Sequence, residues 1–184
     1  GVRFDQAISS SGWTLPAIAS LMTGTWPTIH GAMGHDTVLT PMRLETLTAA
    51  ELFSAAGFGT VGFANSAFVS PLLGMDRGFE RFDHEYSYNW DARRADETID
   101  AVIGELHQRR ARSSFYFIHL FDAHLDYDPP GPLATQYTGG RSTPAPPLTV
   151  PKIQALGSGV DGRDPPSNAD AAYVRGVYDG EIDF

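Results

Sequence analysis

Apolar residues along the chain fall into stretches of two kinds, helical repeats and short unbroken runs. The segment after Thr14 is apolar and closes at Gly24, which predicts a short helix. A second helix is predicted over about 41–56, because Pro41 suits a first helical position and Gly57 terminates the pattern.

Two further helices are predicted from apolar residues that recur at helical spacing. The first has a charged opposite face, and its apolar face consists of Ile99, Val102, Ile103 and Leu106. The second lies near the end of the chain, with Asn168 as its cap and an apolar face of Val174, Val177, Tyr178 and Ile182. A charged opposite face is typical of a helix on the protein surface.

Two continuous apolar runs have the composition of buried β-strands. One covers 59–65, and the other covers 114–121, where aromatic and β-branched residues predict a central strand covered on both faces. Between them lies an irregular stretch in which Phe79 and Phe82 are predicted to hold a loop against the core. Because helices alternate with apolar runs, the predicted fold class is α/β with a mostly parallel sheet.

Most of the 13 prolines lie between Pro129 and Pro166. Proline excludes a long helix or a central strand there, so residues 129–167 are predicted to form a loop excursion. A loop of this length is either a lid over a site or a mobile decoration, and both alternatives stay open at this point.

The composition is that of a globular protein, with 42% hydrophobic and 19% charged residues. A formal net charge of -9 argues against nucleic acid as a partner, since phosphate backbones bind basic surfaces. Without cysteine, the chain has neither disulfides nor thiolate metal ligands. Its apolar runs are too short to form a membrane segment.

Thr14 stands two residues before Pro16, at the start of the first predicted helix. A hydroxyl at such a position is commonly a helix cap, and the local sequence favours that interpretation. The alternative is a nucleophile, because helix-terminal amides and the positive end of the helix dipole favour a sulfate or phosphate group beside the hydroxyl.

A second group of candidate residues follows the run 114–121. It consists of His119, Asp122, His124, Asp126 and Asp128. Ligands of open α/β sheets collect outside the carboxyl ends of the strands, so this cluster is well placed to bind one. His124 can hydrogen-bond an anion or protonate a leaving group, since imidazole titrates near neutrality. Alternatively, the Asp residues cap and turn the chain, and the His residues fill polar gaps. The spacing matches no common zinc signature.

Five segments of the chain, taken in order, resemble the sulfatases of the alkaline-phosphatase-like superfamily. They are WTLPAIASLMTGTWPTIHGA, GFGTVGFAN, GMDRGFERFD, FYFIHLFDAHLDYDPP and YDGEIDF. The first resembles the nucleophile segment, in which a Cys or Ser, then x-Pro-x-Arg, precedes Leu-x-Thr-Gly-x-x-Pro-x-x-His-Gly. The resemblance implies a three-layer α/β sandwich with a mostly parallel sheet, of which residues 1–184 form part of the catalytic domain.

By this resemblance, Thr14 occupies the nucleophile position and His124 the position of the His that contacts the sulfuryl group. His30 falls on the His-Gly ending and is interpreted as structural. Asn65 stands where the family often has Lys, which makes it a minor substrate contact. Ala67 stands where the family has His, so the cationic contacts of that segment are missing.

Two departures argue against formylglycine, the aldehyde that sulfatases make from their Cys or Ser. Ile18 stands at the position of the Arg that the modifying enzyme reads, and the β-methyl group of Thr14 would give a ketone on oxidation. Nucleotide pyrophosphatase/phosphodiesterases of the superfamily use an unmodified, metal-bound Thr in a similar context, with Asn at the position of Ala17. A metal-bound Thr14 is therefore implied as the nucleophile, since a metal lowers the pKa of a hydroxyl.

The implied divalent metal, Ca, Mg, Mn or Zn, needs several ligands. The family holds it with an acidic pair ahead of the segment that matches GVRF, and with an Asp and a partner beyond the segment that matches YDGEIDF. Thr14 is the one expected ligand within 1–184, so we expect the isolated chain to bind no metal, and we expect both of its ends to be internal positions of a longer protein.

The implied function is hydrolysis of a small-molecule sulfate or phosphate ester. The alternatives are a phosphodiesterase or phosphoryl-transfer enzyme of the same superfamily, and a non-catalytic fragment or degenerate homologue. The helix after Thr14 should begin within about two residues of Pro16, with the Thr14 side chain at the carboxyl edge of the sheet. His124 should lie at the same edge and face Thr14.

Overall fold

The computed structural model describes residues 2–35, 38–85, 93–109, 112–124, 126–157 and 166–184. The chain divides into two compact units, Gly1–His119 and Leu120–Phe184. The helices of the first unit are α1 (Thr14–Thr23), α2 (Pro27–His30), α3 (Ala49–Ala55) and α4 (Ala95–Gln108). Its strands are β1 (Met33–His35), β2 (Val38–Thr40), β3 (Gly59–Ala64), β4 (Arg81–His84) and β5 (Ser114–His119). The second unit contains α5 (Leu133–Gln136), α6 (Val150–Gln154) and α7 (Asn168–Ile182). Among the described helices, none combines the length and the apolar character needed to cross a membrane.

A parallel three-stranded sheet in the order β4-β3-β5 forms the centre of the first unit, and β1 and β2 form a separate antiparallel pair. The three strands end together, because Ala64 of β3 is in register with both His84 and His119. The predicted α/β class with a parallel sheet is confirmed. Every residue of β3 is buried, whereas β5 is mostly half-buried and lies at an edge of the described sheet. Within the described sheet, the central strand is therefore β3 and not the apolar run 114–121.

Helices cover both faces of this sheet. On one face, Val61 and Phe63 of β3 pack against Val102 of α4. On the other face, Ala64 belongs to an apolar cluster that includes Leu15 of α1. The first unit therefore has three layers, with α4 on one side of the sheet and α1 on the other.

Helix α3 begins later than the predicted range of 41–56. It starts at Ala49, because Thr48 and Glu51 form a capping box in which the Thr48 hydroxyl accepts the Glu51 N–H at 3.1 Å and the Glu51 carboxylate accepts the Thr48 N–H at 2.8 Å. The preceding residues are held in a turn by Arg77, whose guanidinium donates to the carbonyl groups of Arg43, Leu44 and Thr46. The capping box at Thr48, and not Pro41, therefore sets the start of α3.

Strand β4 lies inside the stretch that was expected to be irregular. Its four residues alternate between charged and aromatic side chains, which is too short a pattern to separate from a loop by sequence. Phe79 does hold this stretch to the core, since its ring lies 5.3 Å from that of Phe82 and 6.1 Å from that of Phe115. Residues 86–92 of the stretch lie outside the described residues.

Helix α4 has the predicted period but buries a different face. Its buried residues are Ala95, Thr98, Val102 and Glu105. Three residues of the predicted face are instead 38%, 43% and 45% exposed, namely Ile99, Ile103 and Leu106. The reason is that Thr98 and Glu105 enter polar contacts that the hydrophobic pattern does not show.

Glu105 is 3% exposed and lies between two arginines. Its carboxylate accepts from Arg81 at 2.5 Å and also from Arg109 one turn along α4. We expect Glu105→Gln to lower the free energy of unfolding by about 2 kcal/mol, because two guanidinium groups lose their shared anion. Denaturant unfolding would measure the loss. Asp100→Asn, at an exposed position of the same helix, should change stability by less than about 0.5 kcal/mol, and an equal loss in both variants would contradict the assignment.

In the second unit, α7 packs through a stripe marked by glycine. Its N-cap is Ser167, one residue before the predicted Asn168. A Cβ on Gly176 would lie 2.4 Å from the carbonyl oxygen of Tyr137, and a Cβ on Gly180 would lie 2.5 Å from that of Leu133. The buried stripe is Tyr173, Gly176, Val177, Gly180 and Glu181, whereas Ile182 of the predicted apolar face is 61% exposed. Hydropathy misses such a stripe because glycine has no side chain.

The described part of the excursion 129–167 is folded. Leu148 is fully buried with Tyr173 and Val177 of α7, and its N–H donates to the carbonyl of Tyr127 at 2.8 Å. The helices within the excursion, α5 and α6, are short, as the prolines require. Residues 158–165 lie outside the described residues. The two alternatives for the excursion, a lid over a site and a mobile decoration, both stay predictions.

Candidate functional site

Thr14 is the first residue of α1, and the predicted helix start near Pro16 is confirmed. The N-cap position belongs to Trp13, and no side chain caps the described helix. Thr14 is half-buried, and its hydroxyl makes no hydrogen bond to any residue that the structure describes. The interpretation of Thr14 as a cap is therefore wrong. Within the first turn of α1, the N–H groups of Thr14 and Leu15 have no acceptor inside the helix, and Pro16 has no N–H.

The start of α1 is fixed against the end of β3. Leu15 and Ala19 are fully buried in the cluster that contains Ala64, the last residue of β3. Trp13 makes an edge-on contact with Phe68, a few residues beyond β3, at a ring separation of 5.4 Å. These contacts hold the N-terminal end of α1 near the carboxyl end of the central strand, where open α/β sheets collect ligands.

His30 is fully buried and ties α2 to α1. Its Nδ1 accepts the N–H of Ala32 at 3.1 Å, so the ring proton lies on Nε2. Nε2 lies 3.0 Å from the hydroxyl of Ser20, and the ring also interacts with the backbone of Pro16. Burial lowers the pKa of His30, and the bond to Pro16 offsets part of that effect. The ring thus supports the first turn of α1 as a neutral imidazole.

Burial also lowers the pKa of His119, so the unfolded chain binds protons on both imidazoles more readily than the folded chain does. Stability from these groups is present above the ordinary imidazole pKa of 6.5 and is lost as the pH falls from that value through the lowered pKa of the folded state. We expect the free energy of unfolding to decrease from about pH 7.5 to about pH 5.5. Urea denaturation at several pH values would measure this slope. It should be shallower in His30→Gln, and an unchanged slope would contradict the role of burial at His30.

Two histidines end the strands beside β3. His84 and His119 are both in register with Ala64 and so share the sheet face that α1 covers. His84 Nε2 donates to the carbonyl of Ser66 at 3.0 Å, and His119 stacks on Phe117 at 6.5 Å. Sequence reasoning missed His84 because β4 was not recognised. The sequence signal that could have revealed it is the short run of alternating charged and aromatic residues in β4, which ends in a histidine.

Asn65 follows β3 directly and is fully buried. Its amide nitrogen donates to the carbonyl of Arg93 at 3.1 Å and to the Thr98 hydroxyl at 2.6 Å. Its amide oxygen accepts from Arg93 at 3.2 Å. In this structure Asn65 therefore links the end of β3 to α4, and its role as a minor substrate contact stays a prediction.

His124 belongs to the second compact unit. Its N–H donates to the carbonyl of Phe121 at 2.9 Å in a turn, and its ring stacks on that of Phe121 at 4.4 Å. The side chain is exposed, as is that of Asp126, whereas Asp122 is half-buried. Thr14 lies in the first unit, so the expected facing of Thr14 and His124 stays a prediction.

A metal site is not formed by the described residues alone. Among them, no group of three or more His, Cys, Asp or Glu side chains is placed to hold a metal ion. Asp83 and Glu85, at the end of β4, are paired with Arg93 at 2.8 and 3.3 Å. Of the ligands that the resemblance implies, the described residues offer the Thr14 hydroxyl. That the remaining metal ligands come from residues outside 1–184 stays a prediction.

The fold is similar to that of a solved structure, the phosphonate monoester hydrolase of Agrobacterium radiobacter. The TM-score is 0.61 at 14% sequence identity, and the match covers 95% of this chain and 48% of that chain. This likeness is one of fold. The chain therefore has part of an alkaline-phosphatase-like α/β fold and spans about half the length of this neighbour. Comparisons with protein families and with curated proteins give no match.

One departure from the sulfatase pattern, Ile18 in place of Arg, is explained by packing in this fold. Ile18, at the position of the family's Arg, is partly buried and packs against the apolar cluster of α1. A guanidinium at that position would have to leave the cluster or lose its hydration. Position 18 therefore serves packing, and the predicted absence of formylglycine at Thr14 stays a prediction.

Proposed function

We propose that the chain carries the nucleophile segment of a hydrolase that acts on small-molecule sulfate or phosphate esters, with Thr14 as the attacking residue. The main support is the Thr14 hydroxyl, which is unengaged by the described residues at the first position of α1. The fold likeness to a phosphonate monoester hydrolase supports the same reaction class. Residues that cap or pack have partners in the folded chain, and this hydroxyl has none among the described residues.

In the proposed reaction, the Thr14 hydroxyl gives its proton to a base outside the described residues, its oxygen attacks the sulfur or phosphorus atom, and the bond to the ester oxygen breaks. The leaving oxygen takes a proton, for which His124 is the proposed donor, and water then hydrolyses the sulfated or phosphorylated Thr14. The first-turn N–H groups of α1 would stabilise the negative charge of the transferred group. No described side chain contacts the hydroxyl as a base, so its activation depends on groups outside the described residues.

Threonine chemistry favours phosphate esters over sulfate esters, because an unmodified hydroxyl lacks the aldehyde hydrate that sulfatases use. The reaction class can be assigned by assaying the full-length protein with 4-nitrophenyl esters of sulfate, phosphate and phenylphosphonate, and with bis(4-nitrophenyl) phosphate. Acid quenching during turnover, followed by mass spectrometry of the Thr14 peptide, should reveal one added sulfuryl or phosphoryl group. A covalent adduct on another residue would overturn the proposal.

A non-catalytic protein is the second candidate, and specific observations favour it. Asn65 is buried, Ile18 packs in the core, and the carboxylates at the end of β4 are already paired. This candidate predicts no turnover of any of the four esters with added divalent metal. Turnover that requires Thr14 would exclude it.

A further inference from the structure

The second unit contains an open cleft of about 360 Å³, formed on the side of α7 next to its packed stripe. Its lining residues are Tyr127, Ile153, Pro166, Ala171, Val174, Arg175 and Tyr178. Aliphatic and aromatic groups make up nearly all of this surface, and Arg175 brings the one formal charge among the lining residues. The size is within the range of small-molecule sites.

The cleft adjoins the core that holds α7 in place, since Tyr127, Ile153 and Val174 of its lining also pack against that core. Ala171, Val174, Arg175 and Tyr178 recur at helical spacing and form one stripe of α7. The core stripe lies around Tyr173 and Val177, on a neighbouring side of the helix. Ala171 and Arg175 are not among the residues that pack against this core, so substitutions at these two positions can change the cleft while Tyr173 and Val177 keep their contacts.

Arg175 is exposed at the cleft and has no ion pair or hydrogen bond with any described residue. Arg141, in the same unit, is paired with Asp170 at 2.6 Å. Burial raises the pKa of Tyr127, so its phenol stays neutral at physiological pH and does not offset the charge of Arg175. The cleft thus combines an apolar, aromatic wall with one cation that has no ion pair among the described residues.

We propose that this cleft binds an aromatic anion, with its ring against Tyr127 and Tyr178 and its acidic group on Arg175. The two tyrosine rings lie 5.5 Å apart at an interplanar angle of 66°, so they form an angled wall against which a third ring can pack. A guanidinium without a partner recognises a sulfonate, sulfate or carboxylate through charge-assisted hydrogen bonds. This site is independent of Thr14 and of the proposed hydrolase activity.

Two fluorescent probes of matched shape test the proposal. One is 8-anilinonaphthalene-1-sulfonate, and the other is N-phenyl-1-naphthylamine, which lacks the sulfonate. Arg175→Gln should weaken binding of the sulfonate about tenfold and change binding of the neutral probe by less than about twofold. Ala171→Phe should fill the cleft and abolish binding of both probes. Arg3→Gln removes the same charge from an exposed position and should leave both affinities unchanged.

Three results would overturn the proposal. The first is an equal effect of Arg175→Gln on both probes, and the second is unchanged probe binding in a folded Ala171→Phe protein. The third is a dimer, detected by light scattering, that dissociates in Ala171→Phe but is not dissociated by either probe. In that case a second copy of the chain, and not an aromatic anion, would occupy the cleft. A cooperative thermal unfolding transition shows that a variant is folded. If Ala171→Phe does not fold, the comparison of the two probes with Arg175→Gln decides whether the proposal holds.

Discussion

Thr14→Ala is expected to lower kcat of the full-length protein at least about 10³-fold on whichever ester it hydrolyses, because removal of a nucleophile removes the covalent route. The structure adds a second, opposite expectation for stability. Since the Thr14 hydroxyl caps nothing among the described residues, Thr14→Ala should change the free energy of unfolding by less than about 0.5 kcal/mol. A capping threonine would lose about 1 kcal/mol. Activity assays and denaturant unfolding on the same protein therefore separate the two roles.

Two variants control the Thr14 experiment. Thr14→Ser keeps the hydroxyl and should retain activity within about tenfold of the wild type. Thr23→Ala removes a hydroxyl from the same helix, where it donates to the carbonyl of Ala19 at 2.7 Å, and should leave kcat unchanged. Full activity in Thr14→Ala, or an equal loss in Thr23→Ala, would refute the nucleophile assignment.

Gly78→Ala is expected to lower the free energy of unfolding by about 4 kcal/mol. Gly78 has a φ of +85°, and a Cβ there would lie 2.2 Å from the backbone nitrogen of Glu51 in α3. The backbone is not free to move aside, since the Gly78 carbonyl accepts the Thr60 hydroxyl at 2.7 Å and the Arg77 carbonyl accepts the Thr48 hydroxyl at 2.9 Å. One methyl group would thus disturb both the sheet and the cap of α3.

The matched control for Gly78 is Gly104→Ala in the middle of α4. A Cβ at Gly104 meets nothing within 4 Å among the described residues, and its backbone is helical. The same substitution should therefore raise stability by about 0.5–1 kcal/mol, since alanine has the higher helix propensity. Denaturant unfolding of the two variants should give changes of opposite sign. A loss below about 1 kcal/mol at Gly78 would mean that the backbone contact with Glu51 relaxes easily.

The parts of the fold that depend on periodicity and punctuation could be predicted from the sequence. Helix α1 ends at Gly24, as its apolar segment indicates, and β3 occupies nearly the predicted range 59–65. The parts that failed depend on partners far along the chain. The buried face of α4 follows Glu105 because Arg81, on a strand that sequence did not reveal, is its ion-pair partner.

The candidate site shows the same division. The local sequence pattern predicted Thr14 at the start of a helix, where the structure has it. The sequence could not show that the Asn65 amide would donate hydrogen bonds to Arg93 and Thr98, since those residues come about thirty positions later. Nor could it show that His84 ends a strand in register with Ala64. The position of a residue within its own helix or strand was predictable. The hydrogen-bond partners of a polar side chain were not, because they come from segments that only the folded chain brings together.

The two glycines of α7 set a limit on how the second unit can vary. Gly176 and Gly180 let the helix axis approach the peptide groups of Tyr137 and Leu133 so closely that no side chain fits between them. A Cβ on Gly180 would also lie 3.2 Å from the Cβ of Pro129, so the proline-rich segment takes part in this close approach. These two positions accept only a hydrogen atom. The region that looks most permissive by composition therefore contains the strictest steric constraint of the unit.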